Sequence, residues 1–526
     1  MKNNVLSIIA VCVFIFSIIF AVVPLFGKNY IPTHDGEYHI IRIVEFARMI
    51  REGYLFPRWA PTLNSGYGVP VFEFNYPFPN YIGDAVSSGL HDAVRSFQMA
   101  QAIGYIVAVA ALFGWLFTLF GLIPAAVGAT VGAFVPYWFV DMYVRGSIGE
   151  IFATAFLFCV LLCIEKKRFI LVAVSYALLI LSHNILAMVY TPFILCYALI
   201  RDKKALWAMF AGLGLSAYFW LPALLEEKYV VGLNTVNFRE HFVQIYELLI
   251  PSWGTEFSGT GSMGNKISFQ IGIAPIVCLI LAAFQVRRTK AAGLRYLMNY
   301  LYAILGLSII GMLTVSQFIW VIVKPLQFIQ YPWRLLSFVI PVSAFAAGFW
   351  VSNSKKQWVG IVIAVVAVLL SSSYVRPVLY QPRSEAYYLA RTNFTDSTSS
   401  MGNSFSTIWT GWKVSRPLSP ITVENGNVIR QNKWKYMDKQ FTVSMSDSGV
   451  ITLNTLYFPG WVATVDGHTV PIHYLRDGVI HFSVPHGVHT IRVTFTETVA
   501  RLAGDILSVI SLVVLFGWGI LRYRRK

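Results

Sequence analysis

His34-Asp35-Gly36-Glu37-Tyr38-His39 gathers two carboxyls and two imidazoles just after the first long apolar run of the chain. A carboxylate at that boundary can take a proton from a hydroxyl while the oxygen attacks another centre. Sugar hydroxyls have very high pKa values, so glycosyl transfer gains from such a base. A plainer account also fits these residues, in which Asp35 caps the helix that follows from a solvated loop.

Three more stretches could carry chemistry. Arg145-Gly-Ser-Ile-Gly-Glu150 places a cation and an acid in a short connection between apolar runs. An arginine there can stabilise a departing phosphate. Glu150 could orient it, bind a metal with Asp35 or hydrogen-bond a sugar, and an interfacial ion pair is the bland reading. Gln330-Tyr331-Pro-Trp-Arg334 stands where the chain re-enters an apolar run, and its arginine suits a lipid phosphate or simple snorkelling. Ser182-His183-Asn184 interrupts two apolar helices, where polar groups are costly unless they face a cavity. Gly259-Thr-Gly-Ser-Met-Gly264-Asn-Lys266 looks like a phosphate-binding loop but lacks the Gly-Lys-Ser/Thr ending.

The elements that must position these groups are set by composition. Of 526 residues, 56% are hydrophobic and 13% charged, with a mean hydropathy of +0.61. Such a chain is an integral membrane protein. About twelve helices are expected, near 5–26, 98–120, 122–140, 150–164, 169–182, 185–200, 205–224, 269–286, 296–315, 333–351, 358–375 and 500–521. The first is read as an uncleaved helix, because no small-residue cleavage site follows it.

Basic clusters at Lys166–Arg168, Arg201–Lys204, Arg287–Lys290, Lys355-Lys356 and Arg522–Lys526 fall on alternate connections. By the positive-inside rule these face the cytoplasm, so the long segments 27–97, 225–268 and 376–498 face outward. The net charge of +16 is then topological and calls for no nucleic-acid partner. All five cysteines lie in apolar runs, leaving the outer segments without disulfides; Cys159 and Cys163 share a helix face and read as packing.

Glu37, Arg42, Glu45, Arg48 and Glu52 recur every three to four residues, which predicts an amphipathic helix along the membrane surface. Segment 376–498 is polar and rich in short β-type runs. Strands are expected at Val450–Tyr457, Trp461–Val465, Val470–Tyr474, Val479–Val484 and His489–Phe495, with tight turns at Asp466-Gly467 and Asp477-Gly478.

In order and sidedness the pattern resembles the GT-C superfamily of membrane glycosyltransferases. It is similar in particular to the bacterial 6-pyruvoyl-tetrahydropterin-synthase-related and YfhO-like membrane proteins, although nothing here resembles a pterin site. The residues that carry the likeness are His34-Asp35 through Arg42, Phe56-Pro-Arg58 with Gly66-Tyr-Gly68, Arg145 to Glu150, Ser182-His183-Asn184 and Gln330 to Arg334. Tyr457-Phe-Pro-Gly460-Trp461 with Val465-Asp466-Gly467 resembles the outer β domain of the YfhO-like group. The likeness implies a GT-C-like catalytic domain over 1–375, an extracytoplasmic β-sandwich over 376–498, and a final helix with a basic tail over 499–526.

It further implies an inverting transferase in the bacterial cytoplasmic membrane, with its site facing outside. The donor would be a sugar on a polyprenyl phosphate, in bacteria undecaprenyl phosphate. The acceptor would be an envelope glycan, a teichoic-acid-like polymer or a glycolipid. Asp35 would be the base and Glu150 the second acid, with Arg334 and Arg145 on the phosphate. His34, Glu37, His39, Arg58, His183 and Tyr331 would contact substrate. No cofactor is required by this reading, and a divalent cation, Mg or Mn, stays open, depending on whether Asp35 and Glu150 converge. Two alternatives remain: a flippase of lipid-linked saccharides, which would usually show internal repeats and broken helices, and a non-catalytic envelope assembly protein.

Overall fold

The computed structural model describes residues 2–27, 29–232, 236–258, 265–390, 404–410, 417 and 419–524. The glycine-rich stretch 259–264 lies outside them.

All twelve apolar runs form helices, but they are not twelve full spans. Among the described residues eight helices are long and apolar enough to cross a membrane: Asn4–Phe26, Ala93–Phe120, Ile148–Glu165, Asn184–Arg201, Ala292–Met312, Pro332–Ser352, Gln357–Tyr374 and Val499–Ile520. Two bent pairs raise the number to ten, Leu122–Ala133 with Pro136–Arg145 at 51° and Lys204–Leu215 with Ala217–Tyr229 at 64°. Pro136 opens the second half of the first pair, where a missing N–H breaks the ladder. Phe169–Ser182 and Ile273–Val286 have 14 residues each. They rise only about 21 Å against a hydrocarbon layer of about 30 Å. The expected twelve spans are therefore eight to ten, in a multi-pass membrane protein.

The helix Gly36–Arg51 is not a surface helix. Ile40, Ile41, Ile43 and Phe46 are buried, and so are Arg42 and Glu45. Glu45 accepts hydrogen bonds from the Thr62 N–H (2.9 Å) and hydroxyl (2.7 Å) and pairs with Arg48. The polar positions that suggested a wet face are satisfied inside the protein, which is how a carboxylate can be buried at tolerable cost.

Among the described residues the C-terminal region holds eight strands in two antiparallel sheets. They are β1 (Ile421–Val423), β2 (Gly426–Lys435), β3 (Asp438–Met445), β4 (Gly449–Leu456), β5 (Trp461–Val465), β6 (His468–Val470), β7 (Val479–Val484) and β8 (Gly487–Phe495). The sheets run β1-β4-β7 and β2-β3-β8-β5-β6. Alternate residues such as Phe441, Val443, Ile451, Leu453, Phe482, Ile491 and Val493 are fully buried, the period of a sheet with one covered face. The run expected at Val470–Tyr474 stops at Val470, because Pro471 cannot donate to a ladder. Strands β1 to β3 were not anticipated: β1 has only three residues, β2 is mostly exposed and polar, and β3 buries the polar Asp438 and Lys439 at its start.

Two junctions tie this region to the helical body. The Glu52 carboxylate accepts the Tyr436 N–H (2.9 Å) and its carbonyl accepts the Lys435 ammonium (2.7 Å), so the β2–β3 turn grips the end of helix Gly36–Arg51. Arg501 of the last helix is fully buried and pairs with Glu226 (2.7 Å) and Glu73 (3.4 Å), while Glu73 also takes Arg58 (3.2 Å). Arg501 also donates to the carbonyls of Pro459 and Thr496, which flank β5 and β8.

Candidate active site

The first loop is docked onto the second half of the first bent pair. The N–H groups of His34 and Asp35 donate to the carbonyls of Val144 (3.0 Å) and Arg145 (2.8 Å). Val140–Arg145 is a π-helical turn, a widened coil that redirects side chains. Gly146 ends it at φ +69°, and a Cβ there would collide with Thr33. At Gly149 a Cβ would strike the Tyr76 ring. Both glycines between Arg145 and Glu150 are thus clearances for chain segments far away in sequence.

These contacts enclose a cavity of about 160 Å³. Asp35, Tyr38, His39 and Arg42 line one wall, at the i, i+3, i+4, i+7 spacing of a single helix face. Arg145 and Ser147 form the floor, and His183, Asn184 and Ile185 a second wall. Tyr331, Trp333 and Arg334 form the third, and Phe74, Tyr76 and Phe405 complete it. His34 also lines the cavity; its Nε2 donates to the Thr255 carbonyl (2.7 Å) and its ring stacks on Phe257 at 4.3 Å.

Asp35 is half-buried. It stands at the helix N-cap, yet its side chain makes no capping bond, and among the described residues no hydrogen bond or ion pair engages its carboxylate. The capping account of Asp35 therefore fails. Burial pushes both neighbouring imidazoles down, His34 below its ordinary value and His39 well below it, with the Arg42 charge adding to the effect at His39. Both rings are neutral at physiological pH.

Glu150 is in a different situation. It is fully buried; one oxygen accepts Arg145 Nη2 (2.6 Å) and Arg334 Nε (2.9 Å), and the other accepts the Tyr137 hydroxyl (2.8 Å). Arg145 also donates to Asp141 (2.6 Å) and lies 4.7 Å from the Trp333 ring. Arg334 donates to the Ile329 carbonyl (2.7 Å) and to Gln330 (2.9 Å), 4.9 Å from the Tyr331 ring. Gln330 sits at φ +65°, a strained backbone for a residue with a side chain. Glu150 thus holds two guanidiniums and is not itself among the residues that line the cavity.

His183 lies behind the same group. Its Nδ1 accepts the Leu186 N–H (3.1 Å), which leaves the proton on Nε2, 4.0 Å from Glu150.

Two residues expected at substrate are elsewhere. Glu37 pairs with Arg383, since two positions beyond Asp35 it points away from the shared helix face. Arg58 lies in the junction with Glu73, Glu497 and Asp505. Sequence reasoning gave no site role to Arg42, Tyr38, Tyr76, Asp141 or Tyr137. For Arg42 the signal was its i+7 offset from Asp35, and for Asp141 its i−4 offset from Arg145.

The residues do not fit a divalent cation. Glu150 is held by two arginines and a tyrosine, and among the described residues no group of three or more His, Cys, Asp or Glu could hold a metal ion.

No protein-family profile matches the chain. An uncharacterized protein of Lactococcus lactis subsp. cremoris (strain MG1363) is 22% identical over 264 residues, 44% of this chain and 42% of that protein. Among solved structures, the mycobacterial arabinofuranosyltransferase AftD is similar with a TM-score of 0.44 and 14% identity, over 71% of this chain and 27% of its own. The oligosaccharyltransferase of Archaeoglobus fulgidus in its apo form gives 0.44 and 13%, over 70% and 56%. ArnT from Cupriavidus metallidurans bound to undecaprenyl phosphate gives 0.38 and 12%, over 69% and 64%. The chain thus spans less than two thirds of each of these proteins.

Proposed function

We propose that the protein is an inverting glycosyltransferase that moves a sugar from a polyprenyl phosphate to a hydroxyl of an envelope glycan, teichoic-acid-like polymer or glycolipid. The observation that carries this reading is the single cavity that sets the unengaged carboxylate of Asp35 against Arg42, Arg145 and Arg334.

In the proposed reaction the acceptor hydroxyl gives its proton to Asp35 while its oxygen bonds to the anomeric carbon. The bond from that carbon to the phosphate oxygen breaks on the opposite face, which inverts the centre. The leaving phosphate keeps the electron pair, and the guanidiniums held by Glu150 and Asp141 meet the growing charge. Because these arginines are fixed before substrate arrives, little reorganisation is needed at the transition state. His34 and His39, neutral and close by, leave the negative charge of Asp35 uncompensated by imidazolium.

An outward-facing site is supported by the helix Ile148–Glu165. Its first turn carries Glu150, whereas Glu165 at its far end pairs with Arg201 (2.6 Å) in the basic connections. Those fifteen residues rise about 22 Å, which separates the cavity from the end that the positive-inside rule assigns to the cytoplasm.

The bent helix pairs favour a second reading, a flippase of lipid-linked saccharides, since broken helices are common in transporters. Purified protein incubated with a radiolabelled undecaprenyl-phosphate sugar and candidate acceptors separates the two. Label appearing in acceptor supports the transferase. Movement of labelled lipid across proteoliposomes without transfer would replace it with the flippase.

A further inference from the structure

Ser182-His183-Asn184, the polar break between the helices Phe169–Ser182 and Asn184–Arg201, has no part in the reaction above. Two of its three side chains serve local structure. The Ser182 hydroxyl donates to the Leu178 carbonyl (2.6 Å) and the Asn184 amide to the Phe74 carbonyl (3.1 Å). His183 differs. It is the N-cap of the second helix, where its Nδ1 accepts the Leu186 N–H (3.1 Å). Short side chains with an oxygen acceptor, Asn, Asp, Ser and Thr, are the usual choices for that position. An imidazole performs the same capping through Nδ1 and carries a second nitrogen on its far side.

With Nδ1 accepting, the ring proton sits on Nε2. His183 is buried and lines the cavity, and among the described residues no hydrogen bond engages Nε2. Glu150 Oε1 stands 4.0 Å from it, beyond hydrogen-bond reach. That same oxygen accepts Arg145 Nη2 and Arg334 Nε, so Nε2–H lies next to both guanidiniums. The ring is uncharged. Burial, aided by the charges of Arg334 and Arg145 and opposed by Glu150, pushes its pKa down to about 3. The Tyr76 ring, 4.9 Å away between centroids, packs against the imidazole. A buried donor left without an acceptor costs free energy, and here it faces the space into which an anion would come.

We propose that His183 is a third ligand of the donor phosphate: its Nε2–H donates to a non-bridging oxygen, while Nδ1 anchors the ring to the helix N-terminus. No proton moves in this contact, because the phosphate departs with the electron pair and the neutral N–H stays intact. Its use is orientation. Arg145 approaches from the floor, Arg334 from one wall and His183 from another, so donors from three directions fix how the phosphate is turned toward the attacking hydroxyl. The proposal rests on the transferase reading above and deepens it.

Asparagine and glutamine separate the two nitrogens. In His183→Asn the amide oxygen can still accept the Leu186 N–H, but nothing replaces Nε2–H. In His183→Gln the longer amide reaches the Nε2 position while the cap is weakened. Calorimetric titration of the full-length protein in nanodiscs with undecaprenyl phosphate reads the difference. His183→Asn should bind about tenfold more weakly at a parent-like melting temperature, the loss of one hydrogen bond to a charged group. His183→Gln should bind within about threefold of the parent but melt lower. In transfer assays His183→Asn should raise donor KM about tenfold and leave acceptor KM unchanged. A role in capping alone would reverse the order, with glutamine binding worse than asparagine, and would overturn the proposal. Parent-like affinity in His183→Asn would overturn it while leaving the transferase reading in place. A parent protein that does not bind undecaprenyl phosphate would remove both.

Discussion

The backbone N–H of Asp35 donates to the carbonyl of Arg145 at 2.8 Å. That bond ties the proposed base to the proposed phosphate ligand across more than a hundred residues of chain, so the two cannot shift independently. Asp35→Asn keeps the bond and the shape but removes the proton acceptor. Transfer should fall by about 10²- to 10⁴-fold, with donor KM and thermal stability close to the parent. Turnover within threefold of the parent would show that Asp35 is not the base.

Gly146→Ala tests the docking itself. A methyl group at φ +69° is strained and would push Thr33 away, at a cost of about 1–2 kcal/mol. Activity should drop far more than melting temperature, because Asp35 moves with Thr33. Adding Thr33→Gly removes both atoms of the collision and should restore part of the rate, whereas a purely destabilising Gly146 effect would show no such rescue.

Glu150→Gln should behave unlike Asp35→Asn. Two buried guanidiniums lose their shared counter-charge, and breaking a buried pair from one side costs about 3–5 kcal/mol. A clear fall in melting temperature should accompany the loss of transfer. Were Glu150 the proton acceptor, transfer would vanish at unchanged melting temperature.

Arg334→Lys keeps the charge but loses the fork that spans Glu150, Ile329 and Gln330. Donor affinity, read by titration of the Asp35→Asn background with undecaprenyl phosphate, should weaken by about tenfold or more. An unchanged affinity would move the phosphate away from this residue.

Acid sensitivity follows from the buried imidazoles. In the unfolded chain His39 titrates near its ordinary 6.5, while in the fold burial and Arg42 hold it well below. The unfolded state therefore binds the extra proton. Stability from this group is present in full above pH 6.5, declines below it, and is gone once the pH passes the depressed folded value. Melting temperature should fall from pH 7 to pH 5, and His39→Gln should flatten that slope by up to about 1.4 kcal/mol per pH unit. Equal slopes in parent and variant would refute the assignment.

The helical runs and the four stretches that meet at the cavity were legible because membrane spans and charged residues at their ends leave strong local signals. Span number was less so, since Pro136 and the two fourteen-residue helices alter the crossing without altering composition. The depth of helix Gly36–Arg51 was hidden because Arg42 and Glu45 look the same in sequence whether they meet water or partners. Arg58 misled for a related reason: its partners Glu497 and Asp505 are more than four hundred residues away. Glu150 was recognised as important, yet its role depends on Tyr137 and Arg334, contacts that no spacing rule reveals.

Arg501 has a bearing on how the protein is made. Its partners Glu73 and Glu226 emerge from the ribosome hundreds of residues earlier. A chain released before the last helix leaves those acids with an incomplete set of counterions, and the early loop cannot settle. The early loop therefore takes its final place only once the helix Val499–Arg524 has been inserted against it.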